Sequence, residues 1–238
     1  CAAHFEDYFT RGGFPEVVEG EPQGLYLREL FDKIVGRDIV QRHNVRIPKL
    51  LKELGVYMIQ QSGSVISYQQ LQRAFGYSSI NTVRNHLAYL QESYLLYEVS
   101  AYSYKLKERS TLPKKNYACD IGMMNSLSTK ATDDFGMKLE TLVFLHLRRK
   151  TKNIFYLKSS QYDIDFAVTE DRKISSLIQV CFNISDERTR KRELSSLLNA
   201  AKKWKVTNLK IITWSNSEEL HLEGVEIQVI PAWKFCLS

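Results

Sequence analysis

Between Gly136 and Val229 the apolar residues switch from helical spacing to strand spacing and back, and that order leaves few folds open. Leu139, Leu142, Val143 and Leu147 recur at helical intervals up to about Lys150. Three short apolar runs follow, at 153–157, 164–168 and 176–182, the last two joined by the turn Glu170-Asp171-Arg172-Lys173. A long amphipathic helix is then predicted with Ser185 as its cap and Asp186 and Glu187 in its first turn, where acids suit the helix dipole. Its apolar face is Leu194, Leu197, Leu198, Ala201 and Trp204, and strands at 209–213 and 225–229 close the segment. The order α-β-β-β-α-β-β predicts a mixed sheet flanked by helices, an α/β (α+β) arrangement.

On that frame Glu140 lies on the first helix, Asp165 on the second strand and Gln179 on the third. Strand alternation puts Asp163, Asp165 and Ala167 on one face, and Leu177, Gln179 and Cys181 on one face of the next strand. If these strands pair, Asp165 and Gln179 converge, and Glu140 can reach the same spot. A helix Glu, a strand Asp and a paired strand form the skeleton of a metal-dependent nuclease site, whose last strand reads Glu-x-Lys in an active form. Two carboxylates plus a carbonyl would suit Mg²⁺, which could activate a water. Here the last strand reads Gln179-Val180-Cys181. A thiol cannot offset developing negative charge as an ammonium does, and Lys158 at the end of the first strand is the nearest substitute. The expected catalytic set is thus Glu140, Asp165 and Gln179 in degenerate form, with Glu140 and Asp165 as the metal-ligand candidates. A silent scaffold is the favoured reading; an active Mg²⁺-dependent nuclease is the alternative.

The N-terminal half reads differently. Glycines and prolines punctuate the first two dozen residues, which predicts a loop or linker. Helices are expected from Leu25 and from Pro48, a good first-turn residue. Ser67 and Gln70 form a capping-box pattern, Gly76 ends the short helix that follows, and Ser78 or Ser79 caps the next. That second helix buries Ile80, Val83, Leu87 and Leu90 and turns Asn81, Arg84 and Asn85 outward. Two short helices around a glycine turn make a helix-turn-helix. Strand-like runs at 95–99, 102–107 and 116–119 then suggest a winged helix whose tip carries Lys105, Lys107, Arg109, Lys114 and Lys115 against one acid, Glu108. Asn81, Arg84 and Asn85 would meet a DNA groove and the basic tip its phosphates. A winged helix used for protein contacts, or as a spacer, is the competing reading.

Net charge of +6 is a weak pointer to nucleic acid. The four cysteines are too far apart for zinc knuckles or a disulfide framework, which fits a cytoplasmic setting. No apolar run is long enough to span a membrane, and no Gly-x-x-x-x-Gly-Lys-Ser/Thr phosphate loop occurs.

Several motifs together resemble one family. Arg11-Gly12-Gly13-Phe14-Pro15-Glu16-Val17 resembles the junction after the ATPase module of prokaryotic (archaeal-type) AAA-family ATPases. Arg37-Asp38-Ile39, the run from Pro113 through Tyr117 to Asp120-Ile121-Gly122, and Gly136 to Glu140 followed by Asp165-Phe166 resemble that family's later motifs. Ile178-Gln179-Val180-Cys181 looks like a variant of its Glu-Val-Lys strand, and Trp214 and Pro231-Ala232-Trp233 also fit. The resemblance implies a winged helix-turn-helix domain over 25–128, a restriction-endonuclease-like domain over 129–238, and a linker over 1–24 from an ATPase module outside this chain. ATP would bind only in that module. DNA, the ATPase module and an oligomer are the partners to expect, and a membrane is not.

Overall fold

The computed structural model describes residues 2–128 and 134–238. They form two compact units, residues 2–98 with 113–128, and residues 99–112 with 134–238. The domain boundary expected at residue 129 lies outside the described residues.

The first unit is mostly helical. It begins with α1 (Ala2–Arg11) and α2 (Pro15–Glu19). Next comes α3 (Gln23–Lys33), which runs on into a π-helical stretch at Ile34–Gln41. Then come α4 (Pro48–Gln60), α5 (Tyr68–Phe75) and α6 (Ile80–Glu92). Strand β1 (Leu96–Ser100) leads toward α7 (Leu106–Thr111), which lies in the other unit; the chain returns through β2 (Lys114–Ala118) and α8 (Ile121–Leu127). β1 and β2 form a two-stranded sheet. Leu27, Phe31, Leu51, Leu54, Ile59, Leu87 and Leu90 are almost wholly buried and make the core of this unit.

The expected local signals appear in α5 and α6. Ser67 accepts a hydrogen bond from the Gln70 amide, Gly76 closes α5 at φ +68°, and Ser79 accepts from the Thr82 amide at 3.1 Å. The loop expected over the first two dozen residues is corrected. α1 and α2 occupy most of it, and Phe9 and Val17 are buried. The partners of this segment lie on α8, more than a hundred residues away, beyond any local pattern. Asn125 donates to the Thr10 carbonyl at 2.7 Å, and Asp120 accepts from the Gly13 amide at 2.8 Å. The strand expected over 102–107 is also corrected. Ser103 accepts from the Lys105 amide and donates to Glu108, and the helix-forming run Leu-Lys-Glu-Arg that follows makes α7.

The second unit is the mixed sheet. It comprises α9 (Phe135–Lys150), β3 (Ile154–Lys158), β4 (Asp163–Glu170), β5 (Lys173–Val180), α10 (Glu187–Trp204), β6 (Leu209–Thr213), β7 (Glu218–Leu222), β8 (Val225–Pro231) and α11 (Ala232–Phe235). The six strands run in the order β3-β4-β5-β6-β8-β7. β3, β4 and β5 form an antiparallel meander, β5, β6 and β8 are parallel, and β7 caps the edge antiparallel to β8. A parallel β5–β6 pair needs a crossover, and α10 supplies it. Its buried residues Leu197, Ala200 and Ala201 join Ile164, Leu177, Leu209, Ile211 and Ile227 in one core. The α10 cap is Asp186, which accepts from the Thr189 amide at 2.7 Å, one residue later than Ser185. The chain is thus a mixed α+β protein. Among the described residues no helix is long and apolar enough to cross a membrane.

One buried group on α9 ties this unit to pH. His146 is 6% exposed, and its Nε2 has no hydrogen-bond partner. Burial first, then the charges of Lys150 and Arg149, push its pKa down to about 4. The unfolded chain takes up this proton near pH 6.5 and the folded chain only near pH 4, so stability contributed by the neutral ring is present above pH 6.5 and lost as pH falls through that window. Between pH 7 and pH 5 the loss is expected to be about 1–2 kcal/mol. Denaturant midpoints of the wild type and His146→Leu at the two pH values check this: the variant should lose markedly less.

Candidate functional site

β4 and β5 pair in the register Phe166↔Ile178 and Ala167↔Leu177, which sets Asp165 opposite Gln179. The two side chains take over where the ladder stops. Gln179 Oε1 accepts from the Asp165 amide at 3.3 Å, and an Asp165 carboxylate oxygen accepts from the Val180 amide at 3.0 Å. Convergence of Asp165 and Gln179, expected from strand alternation, is therefore present.

The third member of the cluster is Glu193 of α10. Gln179 is 7% exposed and Glu193 5% exposed, and the Gln179 amide nitrogen donates to Glu193 Oε2 at 2.6 Å. The other Glu193 oxygen accepts from Arg192 Nη2 at 2.5 Å and Nε at 3.0 Å. Arg192 itself is largely exposed, so a solvent-facing guanidinium clamps a buried carboxylate. Its hydrogen bond to Glu193 raises the Arg192 pKa, with Glu193, Cys181 and Asp165 adding in the same direction. A buried carboxylate is tolerated only when paired and hydrogen-bonded, and Gln179 and Arg192 meet that need from two sides. Glu193 had a readable signal: it precedes Leu197 by four residues, on the apolar stripe of α10.

The remaining expected residues are placed as follows. Glu140 is half-buried on α9. Lys158 pairs with Asp163 at 2.8 Å on the exposed sheet end. Cys181 is buried; burial, then Glu193, raise its pKa to about 11, so it is a protonated thiol at neutral pH and neither a cation nor a nucleophile. Among the described residues no three His, Cys, Asp or Glu side chains group as a metal site. The Gln179 carbonyl and one Asp165 oxygen already serve backbone amides. The donor set does not fit a divalent cation.

In the helical unit Asn81, Arg84 and Asn85 are exposed together on α6, with Arg84 also lying over the Tyr68 ring at 5.1 Å. The cations assigned to the wing divide between the two units. Lys114 pairs with Glu98, and Lys115 is 8% exposed at a bridge to Val65. Lys105 pairs with Glu108 at 3.0 Å, Lys107 is exposed, and Arg109 lies over Tyr102 and Phe155 at 4.8 and 4.6 Å. Lys114 is thus engaged within the helical unit, and Lys105 and Arg109 within the sheet unit.

Two curated relatives match nearly the whole chain. An uncharacterized protein of Methanocaldococcus jannaschii, MJ1544, is 32% identical over 254 residues, covering 99% of this chain and 56% of that protein. An uncharacterized protein of Haemophilus influenzae is 24% identical over 235 residues, covering 96% of this chain and 57% of that protein. The chain thus spans little more than half the length of the curated relatives it matches. Residues 2–134 match a domain of unknown function, DUF8612, and the chain belongs to that family.

Proposed function

We propose that this chain is the DNA-associated, non-catalytic part of a longer ATPase. In this reading the helical unit is a winged helix-turn-helix that holds duplex DNA through α6. The sheet unit is a restriction-endonuclease-like domain whose cutting site has become an internal hydrogen-bond network. An ATPase module outside this chain binds ATP and supplies the energy-using chemistry. The length of the two relatives leaves room for such a module, and the family resemblance of the Arg11 to Val17 motif suggests what it is.

The observation that carries the reading is the outward row of Asn81, Arg84 and Asn85 on a helix that Ser79 caps directly after the Gly76 turn. With one arginine in the row, contact to the phosphate backbone is favoured over base readout. Duplex binding should therefore weaken steeply with salt. Arg84→Ala should weaken it evenly across sequences and lower the salt slope by about one. Gel shifts across a salt series measure both. No binding at low salt, or an Arg84→Ala slope equal to wild type, would sink the reading and favour a protein-interaction module. Incubation with Mg²⁺ and single-stranded, duplex and branched DNA tests the nuclease alternative: cleavage lost in Asp165→Ala would establish it, and intact substrate is expected.

A further inference from the structure

The sheet unit carries a second surface that none of the above uses. Tyr102, 7% exposed, anchors it: its ring meets Phe155 and Trp204 edge-on at 5.3 Å, and its hydroxyl donates to the Arg172 carbonyl in the turn that also holds Glu170 and Asp171. Tyr104 lies outward, 71% exposed, 5.3 Å from Trp204 and 5.5 Å from Tyr102. Trp204 is half-buried, and its indole nitrogen donates to the Tyr162 hydroxyl at 3.2 Å. The indole donor and the Tyr102 hydroxyl hydrogen are thus both committed. What faces solvent is the Tyr104 ring with its hydroxyl, on a fixed base.

Lysines stand beside the two outward rings, whereas the acids Glu170 and Asp171 lie in the turn that the Tyr102 hydroxyl holds. Lys202, Lys203 and Lys205 flank Trp204, and Lys105 and Lys107 follow Tyr104, all exposed. Residues 194–217 contain no acid, and the one acid within 102–112, Glu108, is engaged by Ser103 and Lys105. An exposed aromatic ring set among lysines matches a chain of unpaired bases on a phosphate backbone. A duplex keeps its bases stacked on one another and cannot offer them to Tyr104.

We propose that the Tyr104–Trp204 ledge binds single-stranded nucleic acid, with a base stacked on Tyr104 and the phosphates running along Lys203 and Lys205. Every base offers a π-face, so stacking on Tyr104 is sequence-tolerant. The site stands on residues of the sheet unit and is independent of α6. The test uses the full chain and an oligothymidylate, with binding followed by anisotropy and by quenching of tryptophan fluorescence. Binding should fall as salt rises and should quench a signal that Trp204→Phe removes. Tyr104→Ala should weaken it roughly 5- to 150-fold, Tyr104→Phe should leave it within about twofold, and Lys203→Glu should reduce both affinity and salt slope. Arg84→Ala should leave it unchanged, which separates this site from duplex binding by α6. Tyr104 is exposed, so its loss does not threaten the fold. Oligothymidylate binding unchanged in Tyr104→Ala, equal competition by a duplex of the same length, or no binding at low salt would overturn the proposal.

Discussion

Gly122→Ala is expected to unlatch residues 2–20 from the helical unit and to destabilise that unit by about 3 kcal/mol. Gly122 sits in the first turn of α8, where alanine is a better helix former. A methyl at this position, however, would lie 2.0 Å from the Arg11 carbonyl oxygen, a backbone atom with no rotamer to relieve the clash. The opposing side of the joint is as close: Gly12, at φ +81°, has no room for a methyl against the Asp120 carboxylate and the Gly122 amide. Asp120 binds both sides, accepting from the Met123 amide at 2.9 Å as the α8 cap and from Gly13 at 2.8 Å. Separating the segments by the needed ångström breaks the Gly13 bond and takes one donor from the buried Asp120 carboxylate. Two measurements check this. The thermal midpoint of the helical unit should fall by roughly 10 °C, and trypsin should cut after Arg11 in the variant well before it does in wild type. Unchanged midpoint and cleavage would mean that Arg11 and Gly122 are not packed as described. Asp120→Ala should act in the same direction, by about 2–4 kcal/mol, through loss of the cap and of a charged acceptor.

This joint also marks the limit of reading the chain locally. Arg11-Gly12-Gly13 and Asp120-Ile121-Gly122 stood out as motifs, but nothing within either window says that they meet. Glycine and proline spacing alone reads as a loop, and only the partner on α8 shows why the glycines are needed. Where the determinants lie within a few residues, the elements were legible: Ser67 with Gln70, Gly76, and Ser79 with Thr82 define α5 and α6 without tertiary help. The strands of the sheet unit were legible from alternation, except β7. Its burial alternates only weakly along Glu218–Leu222, as suits an edge strand. The π-helical stretch carrying Arg37-Asp38-Ile39 cannot be told from plain helix in the pattern, since its buried residues Val35 and Ile39 lie four apart.

The site was legible in its strand half and not in its helix half. Alternation put Asp165 and Gln179 on converging faces. A Glu-x-Lys pattern looks for its cation along β5, with Lys158 the nearest substitute, whereas the guanidinium near Asp165 and Cys181 comes from Arg192 on α10. Helix α10 crosses β4 and β5, so residues fourteen positions beyond Gln179 fall beside it. A carboxylate on an apolar stripe was the available clue to Glu193, because such a position requires a buried partner.

Gln179→Glu tests that network with the largest effect expected in the sheet unit. In the wild type the Gln179 amide donates to Glu193 at 2.6 Å, so the substitution sets one carboxylate against another where a hydrogen bond was, with Asp165 adjacent. Neither oxygen of the new group can donate unless it keeps a proton. Like charges this close cannot both ionise, and a buried charge without its partner costs about 3–5 kcal/mol. The pair should therefore hold one proton with a raised pKa. By linkage the variant recovers toward wild-type stability as pH falls below the ordinary carboxylate range and loses it as pH rises through the raised value, the opposite sense to His146. A cation is the other way to relieve the repulsion. If α10 and the β4–β5 pair form a nuclease-like scaffold, three carboxylates now face one another, and Mg²⁺ in excess of its Kd should restore about 2–3 kcal/mol by mass action. Wild type should gain nothing measurable from the same Mg²⁺. Denaturant melts of both proteins in EDTA and in millimolar Mg²⁺, at pH 5 and pH 8, separate the outcomes. A variant as stable as wild type at pH 8 in EDTA would remove the Gln179–Glu193 bond from the account. Loss of stability without Mg²⁺ rescue would leave the bond in place and remove the nuclease-like geometry from the proposal.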